Sequence, residues 1–167
     1  DDARAWHAAN ATANPAHYSW LRALGPRAVA AAQAARPGVY YNVTPELKYG
    51  VVEVAELRRD LEAWTTLYVA GRLHKPVVWA RTDAALAGAV ARNLRAALGA
   101  ALLALPPGRS FDERALFAAV AGLSYAGAVR FLLRAEDPRK VANLVAGSLG
   151  RFRTLYAPHV RAAVAAG

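Results

Sequence analysis

Three hydrogen-bond donors lie close together in one short segment of the sequence. Arg72, His74 and Lys75 stand between Gly71 and Pro76, two residues that interrupt regular secondary structure. Arginine and lysine bind phosphate oxygens through charge-assisted hydrogen bonds, so this basic loop could hold a triphosphate or a lipid phosphate. The alternative is a solvated basic loop that binds nothing. The sequence favours neither the phosphate-binding loop nor the solvated loop.

A second group of polar and aromatic residues falls in two strand-like stretches. Lys48 and Tyr49 lie among apolar residues, where a lysine that faces a cleft can bind phosphate, although most such lysines face solvent. Tyr40, Tyr41 and Asn42 could stack on a nucleobase and bond to its edge. Packing in the core of a strand is the simpler expectation for these three.

Carboxylates that could hold a metal ion stand at the start of the chain. Asp1 and Asp2 are interpreted either as metal ligands at the end of a core strand or, for Asp2, as the cap of a helix at residues 3–10. His7 and His17 have no partner at metal-ligand or catalytic-triad spacing, so we expect structural roles for both.

The elements that must position these residues change in kind near residue 82. Before it, we predict short helices, a hairpin of strands at 38–42 and 47–54, and a short strand at 77–79. After it the pattern is helical, with Ser110 and Glu113 as a capping box for one of the helices. The apolar run 84–105 is interrupted by charged residues, which favours a packed helix over a membrane span.

Charge and composition narrow the class of partner. The chain of 167 residues has a net charge of +9 and no cysteine, which excludes disulfides, thiolate zinc sites and cysteine nucleophiles within it. A basic protein suits a nucleotide, an anionic lipid surface or a nucleic acid. The chain also has no methionine and opens at Asp1, so we expect an excerpt or a processed product.

Several phrases, collinear along most of the chain, resemble one family, the mitochondrial translocator assembly and maintenance proteins. They are DDARAWHAAN (1–10), NPAHYSWLRALGP (14–26), GVYYN (38–42), LKYGVV (47–52), DLEAWTTLYVAGRLHKPV (60–77), RNLRAALGAALLALP (92–106), FDERALFAAVAGLSY (111–125) and EDPRKVANLV (136–145). AGRLHKPV and AGLSYAG are the most unusual of these. The resemblance implies a phosphatidate cytidylyltransferase, which converts CTP and phosphatidic acid into CDP-diacylglycerol and pyrophosphate with Mg²⁺, for cardiolipin biosynthesis.

The resemblance also implies a fold and a location. The fold is α+β: residues 1–82 are expected to form the C-terminal part of a nucleotidyltransferase-like domain, and residues 83–167 a helical domain of winged-helix character. The enzyme would lie on the matrix side of the mitochondrial inner membrane as a peripheral protein, in contact with anionic lipid, and no nucleic-acid partner is expected. On this basis Lys48 is the catalytic candidate. Candidates for substrate binding are Tyr41, Asn42, Tyr49, Arg72, His74 and Lys75, and candidates for metal binding are Asp1 and Asp2.

The sequence departs from the family pattern in ways that bear on the site. The family's Gly-Ser signature and first metal-binding acids are expected upstream of Asp1. We therefore expect the 167 residues of this chain to be inactive on their own. Ala128 follows Gly127 where the family usually has an acidic residue, which weakens a role for a loop containing Ser124 and Arg130.

Two other interpretations stay open at this point. A basic helical module that binds nucleic acid is supported only by the excess of bases in the C-terminal third, which has neither a recognition helix nor an aromatic and basic strand signature. A non-catalytic or truncated homologue is the other.

Overall fold

Short helices and one hairpin precede a helical region in the computed structural model, which describes residues 2–35, 37–126 and 139–166. The described elements, in chain order, are α1 (Ala3–Ala13), two 3₁₀ helices (Pro15–His17 and Trp20–Leu24), α2 (Pro26–Ala34), β1 (Val39–Val43), β2 (Lys48–Val52), α3 (Val54–Ala63), α4 (Ala84–Ala104), α5 (Glu113–Ala126) and α6 (Arg139–Ala166). The chain forms two compact units, Asp1–Arg59 and Asp60–Gly167, so α3 contributes residues to both.

The first unit contains the predicted hairpin. Strands β1 and β2 pair antiparallel, with Val39 opposite Val52 and Val43 opposite Lys48. Helix α2 begins with Pro26 at its first position, where the missing amide proton costs nothing, and Gly38 follows the helix with a positive φ of 79°. These features confirm the hairpin and the helix that the sequence predicts.

The second unit is built on three helices that share one hydrophobic core. Helices α4 and α5 pack together, and α6 packs against both. The core includes the rings of Phe117 and Phe152, which stack with their centroids 5.3 Å apart, and the ring of Tyr156, which is fully buried. Burial of these rings, together with the aliphatic side chains around them, stabilises this unit.

Helix α4 is long and apolar enough to cross a membrane by length and composition, and it is the one described helix that passes this test. Its buried positions are chiefly small or aliphatic, but they include Asn93, whose side chain is fully buried and hydrogen-bonded. A hydrogen-bonded polar residue on the packed face is typical of a helix inside a protein core, as the sequence predicts.

The α+β class is confirmed, but three local predictions are wrong. Residues 77–79 form no strand: their β-branched composition favours one, yet they pair with no strand in the described part of the chain. Ser110 does not cap α5; the helix begins two residues later than the capping box requires, and Asp112 accepts the backbone N–H of Ala115 instead. Ser124 lies within α5 and not in a loop, whereas Arg130 and Ala128 lie outside the described residues. The domain boundary near residue 82 stays a prediction, because the compact units describe packing within this chain alone.

Gly71 allows a close approach between the basic loop and α5. A Cβ atom at Gly71 would lie 2.5 Å from the Cβ of Ser124 and 2.6 Å from the carbonyl oxygen of Leu67. Neither neighbour is the mobile end of a long side chain, so an alanine there must displace backbone. The glycine therefore fixes how closely this loop packs on the helix.

We predict that Gly71→Ala lowers the free energy of unfolding by about 1–3 kcal/mol, as overpacking does elsewhere. The matched control is Gly99→Ala in α4, where a Cβ would meet nothing within 4 Å. That change should stabilise by about 0.5–1 kcal/mol, since alanine favours a helix interior over glycine. Urea denaturation of both variants measures the difference, and equal effects would contradict the packing argument.

Candidate functional site

A buried carboxylate organises the segment that precedes the basic loop. Asp60 sits near the end of α3, and its two oxygens accept hydrogen bonds at 2.8–2.9 Å from the backbone amides of Thr66, Leu67, Val69 and Ala70. The hydroxyl of Thr66 adds a further bond at 2.8 Å. Burial alone would raise the pKa of Asp60, but these hydrogen bonds outweigh burial and lower its pKa below the ordinary value.

The same segment contains two residues in the left-handed region of backbone space. Trp64 has a φ of 50° and Leu67 a φ of 56°, although neither is glycine. Such conformations cost energy and persist where surrounding contacts determine them. The bonds to Asp60 from the amides on both sides of Leu67 supply that determination.

Asn93 connects this segment to the basic loop from inside the core. Its side-chain oxygen accepts the indole N–H of Trp64 at 2.7 Å and the Nε2–H of His74 at 3.0 Å. Its amide nitrogen donates to the carbonyl oxygen of Ala70 at 3.1 Å. One asparagine on α4 therefore fixes three points of a chain segment that has no regular secondary structure.

His74 points into the core and is fully buried. Burial lowers its pKa to about 4, so the ring is neutral at pH 7. Because Asn93 presents an oxygen, the proton lies on Nε2, and Nδ1 has no hydrogen-bond partner among the described residues. The backbone carbonyl of His74 accepts the hydroxyl of Tyr156 at 2.9 Å. In this structure the residue holds the loop and does not offer a donor to a phosphate.

The two cations of the basic loop are held differently. The guanidinium of Arg72 lies 3.9 Å from the centroid of the Tyr68 ring and donates to the Tyr68 carbonyl oxygen at 2.6 Å, while the side chain stays exposed. The ammonium of Lys75 donates to the hydroxyl of Ser124 on α5 at 2.8 Å. Stacking on an aromatic face leaves guanidinium N–H groups available, so Arg72 can still bind an anion.

A separate polar cluster occupies the first unit. His7 is fully buried, with Nδ1 3.0 Å from the hydroxyl of Tyr18 and Nε2 2.6 Å from the side-chain oxygen of Gln33. His17 Nδ1 lies 2.9 Å from the hydroxyl of Tyr49. The hydrogen bonds of His7 join α1 to Tyr18 and to α2, and that of His17 reaches β2 of the hairpin, in agreement with the structural roles expected from sequence.

The hairpin separates the candidate residues of the first unit onto two faces. Asn42 pairs with Tyr49, and Tyr41 pairs with Gly50. Since successive side chains point to opposite faces, Asn42 and Tyr49 share one face, while Lys48 lies on the other with Tyr41. The ammonium of Lys48 lies 4.5 Å from the centroid of the Tyr41 ring. The structure therefore does not bring the catalytic candidate Lys48 together with Tyr49 and Asn42.

Asn42 is fully buried, and neither its side-chain oxygen nor its nitrogen makes a hydrogen bond of normal geometry to the described residues. It lies near the hydroxyl of Tyr18. Burial raises the pKa of that hydroxyl, and Asn42 acts to lower it. Its burial agrees with the packing role that the sequence favoured. Leaving a buried amide unpaired costs on the order of 1–3 kcal/mol. Within the hairpin, Asn42 is therefore a buried side chain whose hydrogen-bonding groups are not satisfied by the described residues.

The metal-binding candidates lie at the start of the chain. The Asp2 carboxylate accepts the backbone N–H of Arg4 at 2.9 Å and caps α1, which is the alternative role considered from sequence. Asp1 lies outside the described residues. Among the residues that the structure describes, no group of three or more His, Cys, Asp or Glu is placed to hold a metal ion. Mg²⁺ is usually held by one or two carboxylates together with substrate phosphates, so the metal-binding role of Asp1 and Asp2 stays a prediction.

Sequence reasoning missed Asp60, Asn93 and Ser124 as the residues that position the basic loop. Each acts over a separation that local patterns do not reveal: Asn93 is 19 residues from His74, and Ser124 is 49 residues from Lys75. One signal was present in the sequence, namely an asparagine in the middle of an apolar helix. Such a residue needs a partner when it is buried.

A cationic loop braced on a helical core, as in the second unit, is suited to binding phosphorylated ligands. Comparison with known proteins makes the assignment specific. The profile of the family described as phosphatidate cytidylyltransferase, mitochondrial, matches residues 1–166. Proteins with this name are 46% identical to the chain in Xenopus laevis, 43% in Homo sapiens and 38% in Schizosaccharomyces pombe.

The chain belongs to the mitochondrial phosphatidate cytidylyltransferase family. The similarity covers 94% of the chain and 48% of the Xenopus laevis protein, 93% and 36% for Homo sapiens, and 95% and 41% for Schizosaccharomyces pombe. The chain thus spans about half the length, or less, of the curated relatives that it matches.

We predict that Asp60→Asn lowers the free energy of unfolding by about 2–4 kcal/mol, because an amide cannot accept from four backbone N–H groups and adds an unpaired donor. The wild-type pKa is lowered in the folded state. The carboxylate's contribution is therefore full above the unfolded-state pKa of about 3.9 and is lost as the pH falls through the folded value. The variant should lack this acid dependence.

The matched control for Asp60→Asn is Glu62→Gln on the same helix. Glu62 is exposed and pairs with Arg92 at 2.6 Å, and exposed ion pairs contribute roughly 0–1 kcal/mol. Urea titrations at neutral pH and at pH 3 compare the two variants. A similar small loss in both would contradict the proposed role of Asp60.

Proposed function

We propose that the protein transfers the cytidylyl group of CTP to phosphatidic acid and forms CDP-diacylglycerol. The observation that carries the proposal is family membership along nearly the whole chain, in relatives named for this activity. In this reaction a phosphate oxygen of phosphatidic acid attacks the α-phosphorus of CTP. The bond from that phosphorus to the oxygen bridging to the β-phosphate breaks, and pyrophosphate leaves.

Both substrates and the leaving group are polyanions, so the protein must supply positive charge where they meet. Arg72 supports such a role, because it is exposed and its guanidinium is braced by the ring and carbonyl of Tyr68. Lys48 is a second candidate, braced by Tyr41 in the first unit. Lys75 is a third, held against Ser124. In this proposal Arg72, Lys48 and Lys75 bind substrate phosphates, and His74 supports the basic loop from inside the core.

Mg²⁺ belongs to the proposal as the ion that neutralises the nucleotide phosphates. Asp1 and Asp2 are the candidates for its carboxylate ligands, and the described residues contain no group of three or more possible ligands that would hold it without the substrate phosphates. The nucleotidyltransferase-like character of residues 1–82 and the winged-helix character of residues 83–167 are likewise parts of the proposal. The mixed helices and two-stranded sheet are compatible with both.

The proposed location is the matrix face of the mitochondrial inner membrane, with peripheral attachment to anionic lipid. Residues 139–166 support it, since they contain five bases and no acidic residue. Each base near an anionic surface contributes on the order of 1 kcal/mol, so a few of them suffice for reversible attachment. A role in cardiolipin biosynthesis follows from the proposed product.

The test is an assay of the complete gene product with CTP, Mg²⁺ and phosphatidic acid in detergent or vesicles. We predict equal amounts of pyrophosphate and CDP-diacylglycerol. Arg72→Ala and Lys48→Ala should each lower kcat/KM more than about tenfold, because a charge-assisted contact to a reacting phosphate is lost. A variant that loses a cation bound to CTP should mainly change how the rate depends on the CTP concentration. A variant that loses a cation bound to phosphatidic acid should mainly change how the rate depends on the lipid concentration.

The control is Arg59→Ala, which removes an exposed arginine paired with Glu56. It should leave kcat/KM within about twofold, since an exposed ion pair contributes little. Absence of turnover by the folded complete protein would overturn the proposed activity. Equal losses in the Arg72 and Arg59 variants would overturn the assignment of Arg72.

A further inference from the structure

Residues 77–79 present an apolar surface where the sequence predicts a short strand. Val77 is 44% exposed, Val78 is 90% exposed and Trp79 is 41% exposed. Three consecutive large apolar residues at the surface are unusual in a protein of ordinary solubility and indicate a binding surface. Tryptophan next to exposed aliphatic residues is characteristic of the boundary between water and lipid.

A cleft adjoins this surface. It has a volume of about 430 Å³ and lies between the segment Pro76–Val78 and one side of α6, where Gly150, Arg151, Thr154 and Leu155 line it. The walls from Pro76, Val77, Val78 and Leu155 are apolar, and Arg151 supplies a cation. Gly150 contributes no side chain, and a Cβ there would meet nothing within 4 Å. The volume is within the range of sites that hold small ligands.

The two chain segments that form the walls of the cleft contain positively charged residues and no acidic ones. Residues 71–82 contain Arg72, Lys75 and Arg81 and no acidic residue. Helix α6 contains five bases and no acidic residue, although Arg153 is paired with Glu113 of α5. An apolar cleft that contains Arg151 and lies between two chain segments whose charges are all positive is complementary to a molecule that has an anionic head and hydrocarbon beside it.

We propose that this cleft and the exposed residues Val77–Trp79 dock the protein on a bilayer by binding one anionic glycerophospholipid. Its phosphate pairs with Arg151, and its proximal methylenes contact Pro76, Val78 and Leu155, with Trp79 at the interface. This inference rests on the proposed attachment to anionic membranes and names the element responsible for it. The lipid is a component of the bilayer and not the substrate.

Cysteine labelling of the complete gene product tests the site by position; the chain itself has no cysteine, and any cysteine outside it is replaced by serine first. Val78→Cys and, as the matched control, Leu103→Cys are each labelled with an environment-sensitive fluorophore. Leu103 is 89% exposed on α4, nearly the same as Val78. Phosphatidylcholine vesicles with phosphatidylglycerol should shift the emission of the label at 78 to shorter wavelength and leave the label at 103 unchanged. Equal shifts at the two positions, or a shift only at 103, would overturn the proposal.

Binding constants from vesicle sedimentation complete the test. Val78→Asp should weaken binding to the anionic vesicles at least about tenfold, and Arg151→Gln about fivefold. Gly150→Leu should weaken it as well by filling the cleft, whereas Leu103→Asp should change it by less than about threefold, as a distant charge does. Circular dichroism checks that each variant is folded. Unchanged binding in the Val78 and Arg151 variants would overturn the docking site and would indicate another occupant for the cleft.

The two proposals fail separately, because phosphatidylglycerol is not a substrate of the proposed reaction. Loss of vesicle binding in the Val78 variant supports the docking site even if the complete protein forms no CDP-diacylglycerol. Conversely, CDP-diacylglycerol formation by a protein whose binding ignores Val78 and Arg151 overturns the docking site and leaves the proposed activity standing.

Discussion

The carboxylate of Asp60 is the interaction on which the rest of the second unit depends. Four backbone amides of the following segment converge on it, and a lowered pKa keeps it ionised. A segment without helix or strand has no ladder to satisfy its amides, so a buried charge takes that function. These hydrogen bonds offset the backbone strain at Trp64 and Leu67. They hold the segment in one conformation, in which it packs against α4 and α5. Asn93 and Gly71 then complete the fit.

Because this segment is held in place, the cations of the basic loop are fixed, and its histidine is buried where it cannot donate to a ligand. Arg72 is held by Tyr68 and stays exposed, whereas His74 is buried against Asn93. His74, two positions from the exposed Arg72, thus serves as an internal brace. Fixed cations lose little conformational entropy on binding an anion, which is the property that phosphoryl and nucleotidyl transfer demand of a binding site.

The sequence predicts local structure well and long-range structure poorly. The hairpin and the basic loop follow from period-two patterning and from Gly71 and Pro76, which act through adjacent residues. The burial of His74 could not be predicted, because it depends on Asn93 in a helix that sequence does not connect to it. The strand at 77–79 was wrong for the same reason: β-branched residues favour a strand only where a partner strand exists. The separation of Lys48 from Tyr49, by contrast, is implied by strand alternation and was available from sequence.

Hydrogen–deuterium exchange of the Thr66, Leu67, Val69 and Ala70 amides tests the central role of Asp60 most directly. If the carboxylate holds these amides, they exchange slowly in the wild-type protein despite lying outside helices and strands. In Asp60→Asn they should exchange faster by at least about tenfold, while amides in the middle of α4 keep their protection. Rapid exchange of the four amides in the wild type, or equal protection in the variant, would contradict the account.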